Sequence, residues 1–428
     1  MKIKTIDIFN PFFMIPTIFV MQFLIWYIFM PDNSYLEGVK PKEHNFLSIF
    51  RFLILMISMV TGFFFAKILL KKENLFQIKT RVNTNFYIII NIICFFIFLI
   101  GEFFYLKSAL NLISSINIQS LLNEGISVYA KEVINNRIIG LSSLNNIFII
   151  PLAISSLLLF SKEPSNKIRY FSIFVILFIG AVTLFHALFL AGRMFFIYYV
   201  VVISCCHALF KPKKIKISSI IIVLLTLILI VIFAEFFRYG IIFSQRNGVA
   251  LFSTDTLLAI IEYISIAYIS NDVNNTMIAL ANDSSLQLVS SSPVLKGVLS
   301  LIGINNFMDI FSFNHLPRGH GTVNFLGLIW FDFGWAGIAV GFLVGFFCQY
   351  YYIKACSSSA IISTDILIFV TISPALYSIS RINYFGQTIF LLPFILIVLI
   401  RALLIRKVKV HHHNVILTKR INHRVESV

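Results

Sequence analysis

Charge is what this sequence has least of. Only 12% of its 428 residues are Asp, Glu, Lys or Arg, where a soluble domain carries roughly 25%. A soluble core wrapped in a polar surface is excluded on that ground. Acidic residues are the scarcer kind, 18 against 34 Lys+Arg. Cysteine is sparse and unpatterned. Cys94, Cys205, Cys206, Cys348 and Cys356 lie in or beside apolar runs, with no C-x-x-C pair and no zinc-like spacing, and read as packing residues. There is no Walker A loop, no D-x-D and no H-E-x-x-H, so chemistry fed by nucleotide triphosphates or nucleotide sugars on a soluble domain is disfavoured. If the chain is an enzyme, its substrate arrives activated and lipid-borne. No metal and no cofactor are expected, and the run His411 to His413 in the basic tail adds no ligand set. An internal repeat is not evident, which disfavours the inverted-repeat transporter architecture.

What the sequence has in abundance is apolar length. Hydrophobic residues make up 59% of it, with 47 Phe. A helix crossing the hydrocarbon needs about 20 mostly apolar residues. Ten stretches qualify: 11–30, 47–70, 85–105, 145–160, 169–189, 194–210, 217–235, 323–347, 360–378 and 384–403. The first is too long for a signal peptide, and no A-x-A site follows it. The fold class expected is therefore all-α, a polytopic membrane helix bundle of about ten spans. Basic residues test this parse. Every even-numbered exit is basic: Lys71 and Lys72, Lys162 and Lys167, Lys211 to Lys216, Lys354, and the tail from Arg401. Assigned by side, 22 Lys+Arg and 5 Asp+Glu fall on one face and 12 and 13 on the other. This is the positive-inside bias, and it puts both termini in the cytoplasm. It also accounts for the net charge of +16 without a nucleic-acid partner. The chain divides into 1–235 (spans one to seven), 236–322 (one large outer loop) and 323–428 (spans eight to ten and a basic tail).

Ionisable groups near membrane depth need a reason. The outer-side arginines are the unfavoured kind, and there are seven: Arg51, Arg137, Arg193, Arg238, Arg246, Arg318 and Arg381. Arg193 lies in a tight turn between two apolar spans, seven residues after His186. Its partner is either a protein carboxylate or a phosphate, which a planar guanidinium grips bidentately. Arg238 and Arg246 flank Tyr239-Gly240 at the exit of span seven, and Arg381 lies in the turn between the last two spans. The densest polar cluster is His315-Leu-Pro-Arg318-Gly-His320-Gly321, where two histidines and an arginine could hold an anion and supply a base. Asp332 lies well inside span eight and needs a cation or a proton; Arg318 and Arg193 are the obvious cations. Within the large loop, 251–270 is apolar but carries Asp255 and Glu262, which share one helical face. A helix along the outer leaflet surface and a re-entrant pair of half-helices both fit that pattern.

The run from Arg318-Gly-His320-Gly321 through Asn324 to Phe331-Asp332-Phe333-Gly334 and Gly337 resembles the late-span pattern of the Wzy-type O-antigen polymerases, the oligosaccharide repeat unit polymerases. The layout is similar too: ten or more spans, a large outer loop in the second half, and a basic tail. The resemblance implies a glycosyltransferase of the bacterial inner membrane, acting at the periplasmic face on oligosaccharides linked to undecaprenyl pyrophosphate. It implies a chain-length regulator and a flippase as partners. Departure of a pyrophosphate needs fixed cations in a partly dry site. Arg193, Arg238, Arg246 and Arg318 form the expected set, with Arg381 and Asp332 at the same pocket, and His320, His315, Asp255 or Glu262 supplies the base. An O-antigen ligase, a lipid-linked oligosaccharide flippase and a multi-span acyltransferase stand as the alternatives. The last would use His186.

Overall fold

The structure, a computed structural model, describes residues 2–30, 42, 45–73, 84–113, 141–161, 165–189, 193–210, 214–216, 248, 250, 252–263, 266, 270–281, 323–358, 362–379 and 388–404. Its helices in chain order are α1 (Pro11–Phe29), α2 (Phe46–Glu73), α3 (Thr84–Ile113), α4 (Ile149–Phe160, entered through a 3₁₀ turn Ser142–Phe148), α5 (Asn166–Phe189), α6 (Arg193–Phe210), α7 (Thr254–Tyr263), α8 (Asn271–Ala281), α9 (Phe325–Phe333), α10 (Gly337–Ser357), α11 (Thr364–Ser378) and α12 (Thr388–Leu404). One strand pair interrupts the helical pattern: β1 (Lys2–Lys4) pairs antiparallel with β2 (Lys214–Lys216).

Among the described residues six helical segments are long and apolar enough to cross a membrane: Pro11–Ile28, Phe46–Leu70, Thr84–Lys107, Ser142–Phe160, Asn166–Ala187 and Phe325–Ser357. Three shorter apolar helices, Met194–Phe210, Thr364–Ser378 and Thr388–Leu404, accompany them. In hydrocarbon only a helix or a closed barrel satisfies its own backbone, so these runs are helical for one shared reason. Their outward faces are apolar as well. Phe13, Ile28, Ile57, Phe96, Phe103 and Leu177 are exposed, a surface suited to lipid. The protein is a membrane-embedded helical bundle.

Packing defines helix directions. Phe12 of α1 meets Phe64 of α2, while Phe23 meets Phe52, so the two are antiparallel. Phe95 and Phe98 of α3 meet Phe178 of α5, and Glu102 meets His186, so these run parallel. Phe148 and Phe160 at the two ends of α4 meet Phe195 and His207 of α6, a parallel pair. The β1–β2 pairing then ties the start of α1 to the residues after α6 at one end of the bundle. Two helices are enclosed on nearly all sides: every residue of 147–158 and of 366–376 is buried. Such helices read as apolar all round, as both do.

The tightest contact joins α2 and α10, which run parallel. A Cβ at Gly62 would collide with the Phe342 carbonyl, and one at Gly345 with the Met59 carbonyl. Gly341 and Gly345 of α10, four positions apart, both face α2, at Ser58 and Met59, the small-residue spacing by which membrane helices bring backbones together. Gly345→Leu is expected to cost about 3 kcal/mol or to prevent assembly; the monodisperse fraction on size exclusion in detergent reads it out. Unchanged yield and elution would contradict the packing described.

The span expected over 323–347 is two helices. α9 stops at Phe333, and α10 continues to Ser357. The cause is Gly334, whose φ of 52° and ψ of −129° end α9. Only glycine adopts positive φ without a Cβ clash. Gly334→Ala is expected to lower stability by about 1–2 kcal/mol, visible as a lower thermal midpoint. The seventh expected span, 217–235, lies outside the described residues.

Candidate functional site

The most polar part of the described core is a helix. In α8 the residues Asn271, Asp272, Asn274, Asn275 and Thr276 are all fully buried. They fall in the segment expected to form an outer loop. Instead α8 packs against α1, α2 and α9, with Val273, Met277 and Leu280 in the main apolar core. Ahead of it Ile266 and Ser270 have π-helical geometry, which is often associated with functional sites.

Each neighbour holds α8 by a polar contact. Trp26 of α1 donates its indole N–H to Asn274 Oδ1 at 3.2 Å. Thr276 Oγ1 donates to the Asp272 carbonyl at 2.8 Å and accepts from the Asn324 backbone N–H at 3.0 Å. Asn324 caps α9, its Oδ1 accepting from Leu326 N and Gly327 N. Its Nδ2 is buried without a hydrogen-bond partner among the described residues. Gly327 lets α9 lie this close, since a Cβ there would meet Val323 at 2.6 Å and Thr276 at 3.1 Å. Arg51 of α2 closes the other end of α8: Nη1 donates to the Leu280 carbonyl at 2.6 Å and the Ala281 carbonyl at 3.3 Å. A cation at the C-terminal carbonyls also complements the helix dipole. The guanidinium lies 4.3 Å from the Trp330 ring centre, within cation–π range. On the α1 side Lys42 Nζ lies 5.4 Å from the Trp26 ring and 4.3 Å from the Tyr27 ring.

The arrangement is a row of amides and a carboxylate between two tryptophans, each tryptophan accompanied by a cation. Amides offer paired donors and acceptors, which suits a hydroxyl-rich ligand. Aromatic faces suit the apolar face of a ring, and the cations suit an anionic group.

A second buried polar pair lies between α3 and α5. His186 Nε2 is 2.7 Å from Glu102 Oε1, with the side chains 1% and 6% exposed. His186 is packed between Tyr105 and Phe195, ring centres at 4.8 and 5.0 Å. Its Nδ1 is buried and has no hydrogen-bond partner among the described residues.

Of the residues expected from sequence, Asp332 is buried in α9, two positions after Trp330. Among the described residues Arg51 reaches this helix, over Trp330; the pairing of Asp332 with Arg318 or Arg193 lies outside the described residues. Asp255 and Glu262 are both exposed on α7, whose Thr256 and Ile260 face inward. Arg193 begins α6, and its side chain lies outside what is described. His315, His320, Arg238, Arg246, Arg318 and Arg381 also lie outside the described residues, as does the gathering of these arginines at one pocket. Among the described residues no group of three or more His, Cys, Asp or Glu could hold a metal. Cys94, Cys205, Cys206 and Cys348 are free and buried, and Cys356 is free and exposed.

Sequence reasoning passed over Glu102 and the whole of α8, and it named Arg51 and Asn324 without their partners. One signal was available: Asn271-Asp272-Val273-Asn274-Asn275 follows an apolar run without the Gly or Pro of a loop. Fold and site define an α-helical integral membrane protein with polar groups built into its bundle. Comparison with protein-family models, curated proteins and solved structures finds no match.

Proposed function

We propose that this chain is a metal-independent glycosyltransferase of the bacterial inner membrane that polymerises undecaprenyl-pyrophosphate-linked oligosaccharide units at the periplasmic face. The observation that carries the reading is the burial of α8. The segment bearing the resemblance, from Asn324 to Gly334, packs against a helix whose Asn271, Asp272, Asn274 and Asn275 are fully buried, flanked by Trp26 and Trp330. An ionisable group inside a membrane helix is a functional-site candidate by default; Asp272 is such a group, and it is set among amides, the side-chain type that pairs with sugar hydroxyls.

Ten spans with both termini cytoplasmic complete the reading. It is supported by the alternating helix directions. It is also supported by the β1–β2 pair and the Arg401–Asp365 ion pair (2.7 Å), each joining segments assigned to the cytoplasmic side. Arg51 and α8 then lie at the periplasmic end. In the reaction an acceptor hydroxyl attacks the donor's anomeric carbon. A new C–O bond forms, the bond to undecaprenyl pyrophosphate breaks, and the hydroxyl proton passes to a base. His315, His320, Asp255 and Glu262 are the proposed bases, and Arg193, Arg238, Arg246, Arg318 and Arg381 the proposed cations for the leaving pyrophosphate.

The same buried helix also favours a second reading, transport of a lipid-linked oligosaccharide, because transporters place polar sites inside the bundle. Lipopolysaccharide from a strain lacking the gene separates the two. Core plus a single repeat unit, with the ladder gone, is the outcome expected of a polymerase. Loss of every repeat unit indicates a flippase or ligase, and periplasmic lipid-linked polymer then singles out the ligase. Asp272→Asn and Asp332→Asn are expected to shorten or abolish the ladder on complementation.

A further inference from the structure

The mechanism above makes no use of the buried Glu102–His186 pair. Tyr105 and Phe195 cover the two faces of the imidazole, so only its edge can take a polar partner. Nε2 lies 2.7 Å from Glu102 Oε1. An ionised carboxylate only accepts, so the hydrogen between them sits on Nε2. Nδ1 is thereby left as an acceptor, buried and without a partner among the described residues.

A second unanswered atom stands level with the pair. Asn91 Nδ2 donates to Ser155 Oγ at 2.9 Å, and Phe98 meets Phe148 with ring centres 6.4 Å apart. At Gly101 a Cβ would collide with the Asn145 backbone N. These three contacts make α3 antiparallel to the segment that runs from the 3₁₀ turn into α4, and they bring Asn145 to the height of Glu102. Phe148, one 3₁₀ turn from Asn145, also meets Phe195, the ring that covers His186. Asn145 is 3% exposed, and its Nδ2 has no hydrogen-bond partner among the described residues.

A buried acceptor and a buried donor are each costly to leave unanswered. Together they select a group that does both, and a hydroxyl donates and accepts through one oxygen. An anion would answer only Asn145, and a cation only His186.

We propose that Glu102, His186 and Asn145 hold the attacking hydroxyl of the acceptor, with His186 Nδ1 as its general base. The proposal rests on the polymerase reading and assigns the base within it, in place of the four candidates named there. Asn145 Nδ2 donates to the hydroxyl oxygen and orients it. As that oxygen bonds to the donor's anomeric carbon, its proton passes to Nδ1. Undecaprenyl pyrophosphate departs with the electron pair of the bond that breaks. Glu102 is a positioning residue: it holds the ring and offsets the charge of the imidazolium that forms. The imidazolium then returns its proton to the released pyrophosphate or to water. Phe195 is two residues from Arg193, so the base lies beside the start of the helix that carries a proposed leaving-group cation.

The test uses the full chain in nanodiscs, with undecaprenyl-pyrophosphate-linked repeat units as donor and acceptor and product length as the readout. His186→Gln keeps an N–H toward Glu102 but has no basic nitrogen. It is expected to lower kcat by roughly 10²–10⁴-fold with KM changed by less than about twofold. It should also remove the rise of rate with pH that a base active in its neutral form imposes. Asn145→Ala is expected to lower turnover by roughly five- to tenfold and to keep that rise, as is Glu102→Gln with a loss smaller than that of His186→Gln. Turnover by His186→Gln within roughly tenfold of the parent, or a pH rise that survives the change, overturns the proposal and leaves the polymerase reading standing. Should His186→Gln not fold, the protein carrying Glu102→Leu and His186→Leu is held to the same two limits. No elongation by the parent chain would instead sink the polymerase reading.

Discussion

Replacing His186 by alanine is expected to cost about 3–5 kcal/mol. Glu102 and His186 are 4% and 1% exposed and 2.7 Å apart. Removing the imidazole leaves a carboxyl group in an apolar surrounding with no counterpart. The cost comes chiefly from that orphaned group, and the attraction it had enjoyed contributes less. A paired replacement by apolar residues removes both partners at once and is often close to neutral. Glu102→Leu with His186→Leu should therefore be far more stable than the sum of the two single changes implies. Unfolding midpoints of the four proteins in detergent close the cycle. A His186→Ala protein with an unchanged midpoint would show that the pair carries no such burden. The pair lies at the same helix ends as Arg193, since Phe195 stacks on His186, so a loss of folding here must be separated from a loss of activity. The double leucine variant does that: stable protein without a ladder would place the pair in the chemistry.

Arg51→Ala is the second large effect. It removes two charge-assisted hydrogen bonds to the Leu280 and Ala281 carbonyls and the cation over Trp330. Bonds to a charged donor contribute about 1.5–3 kcal/mol each, and a desolvated cation–π contact about 2 kcal/mol, so a net loss of about 3–5 kcal/mol is expected after relaxation. The consequence is local before it is global, because Arg51 secures the end of α8. Met277 is fully buried in the middle of that helix. In a Cys356→Ser background, Met277→Cys should resist maleimide in the parent and react in the Arg51→Ala protein. Arg51→Lys keeps the charge but loses the planar stacking surface, so intermediate labelling is expected. Full protection of position 277 after Arg51→Ala would mean that the contacts of α8 with α1 and α9 hold it without Arg51.

The gap between expectation and structure lies in particular residues. Arg51 was conspicuous in the sequence as an arginine on the unfavoured side, but its carbonyl partners are 229 and 230 residues away. Glu102 stood inside the expected span 85–105 and drew no attention, for its imidazole is 84 residues distant. Asp332 was legible because a carboxylate in an apolar run is an anomaly by itself. The α8 segment was not legible: its asparagines read as loop, since polarity in a short window looks the same whether water or other helices satisfy it.

By itself the sequence determined that this is a bundle of membrane helices. Apolar runs of crossing length demand it, since a backbone in hydrocarbon has no other donors and acceptors than its own. The run lengths also located α1 to α6, α11 and α12 to within a few residues at most ends, and α3 departed most, continuing to Ile113. Only the tertiary structure decided where the polar groups meet. It put α8 inside the bundle, set Arg51 at its end, and paired Glu102 with His186. Those outcomes depend on which helix faces touch, and touching faces are fixed by long-range packing of small residues such as Gly62, Gly327 and Gly345, which a local reading of composition does not contain.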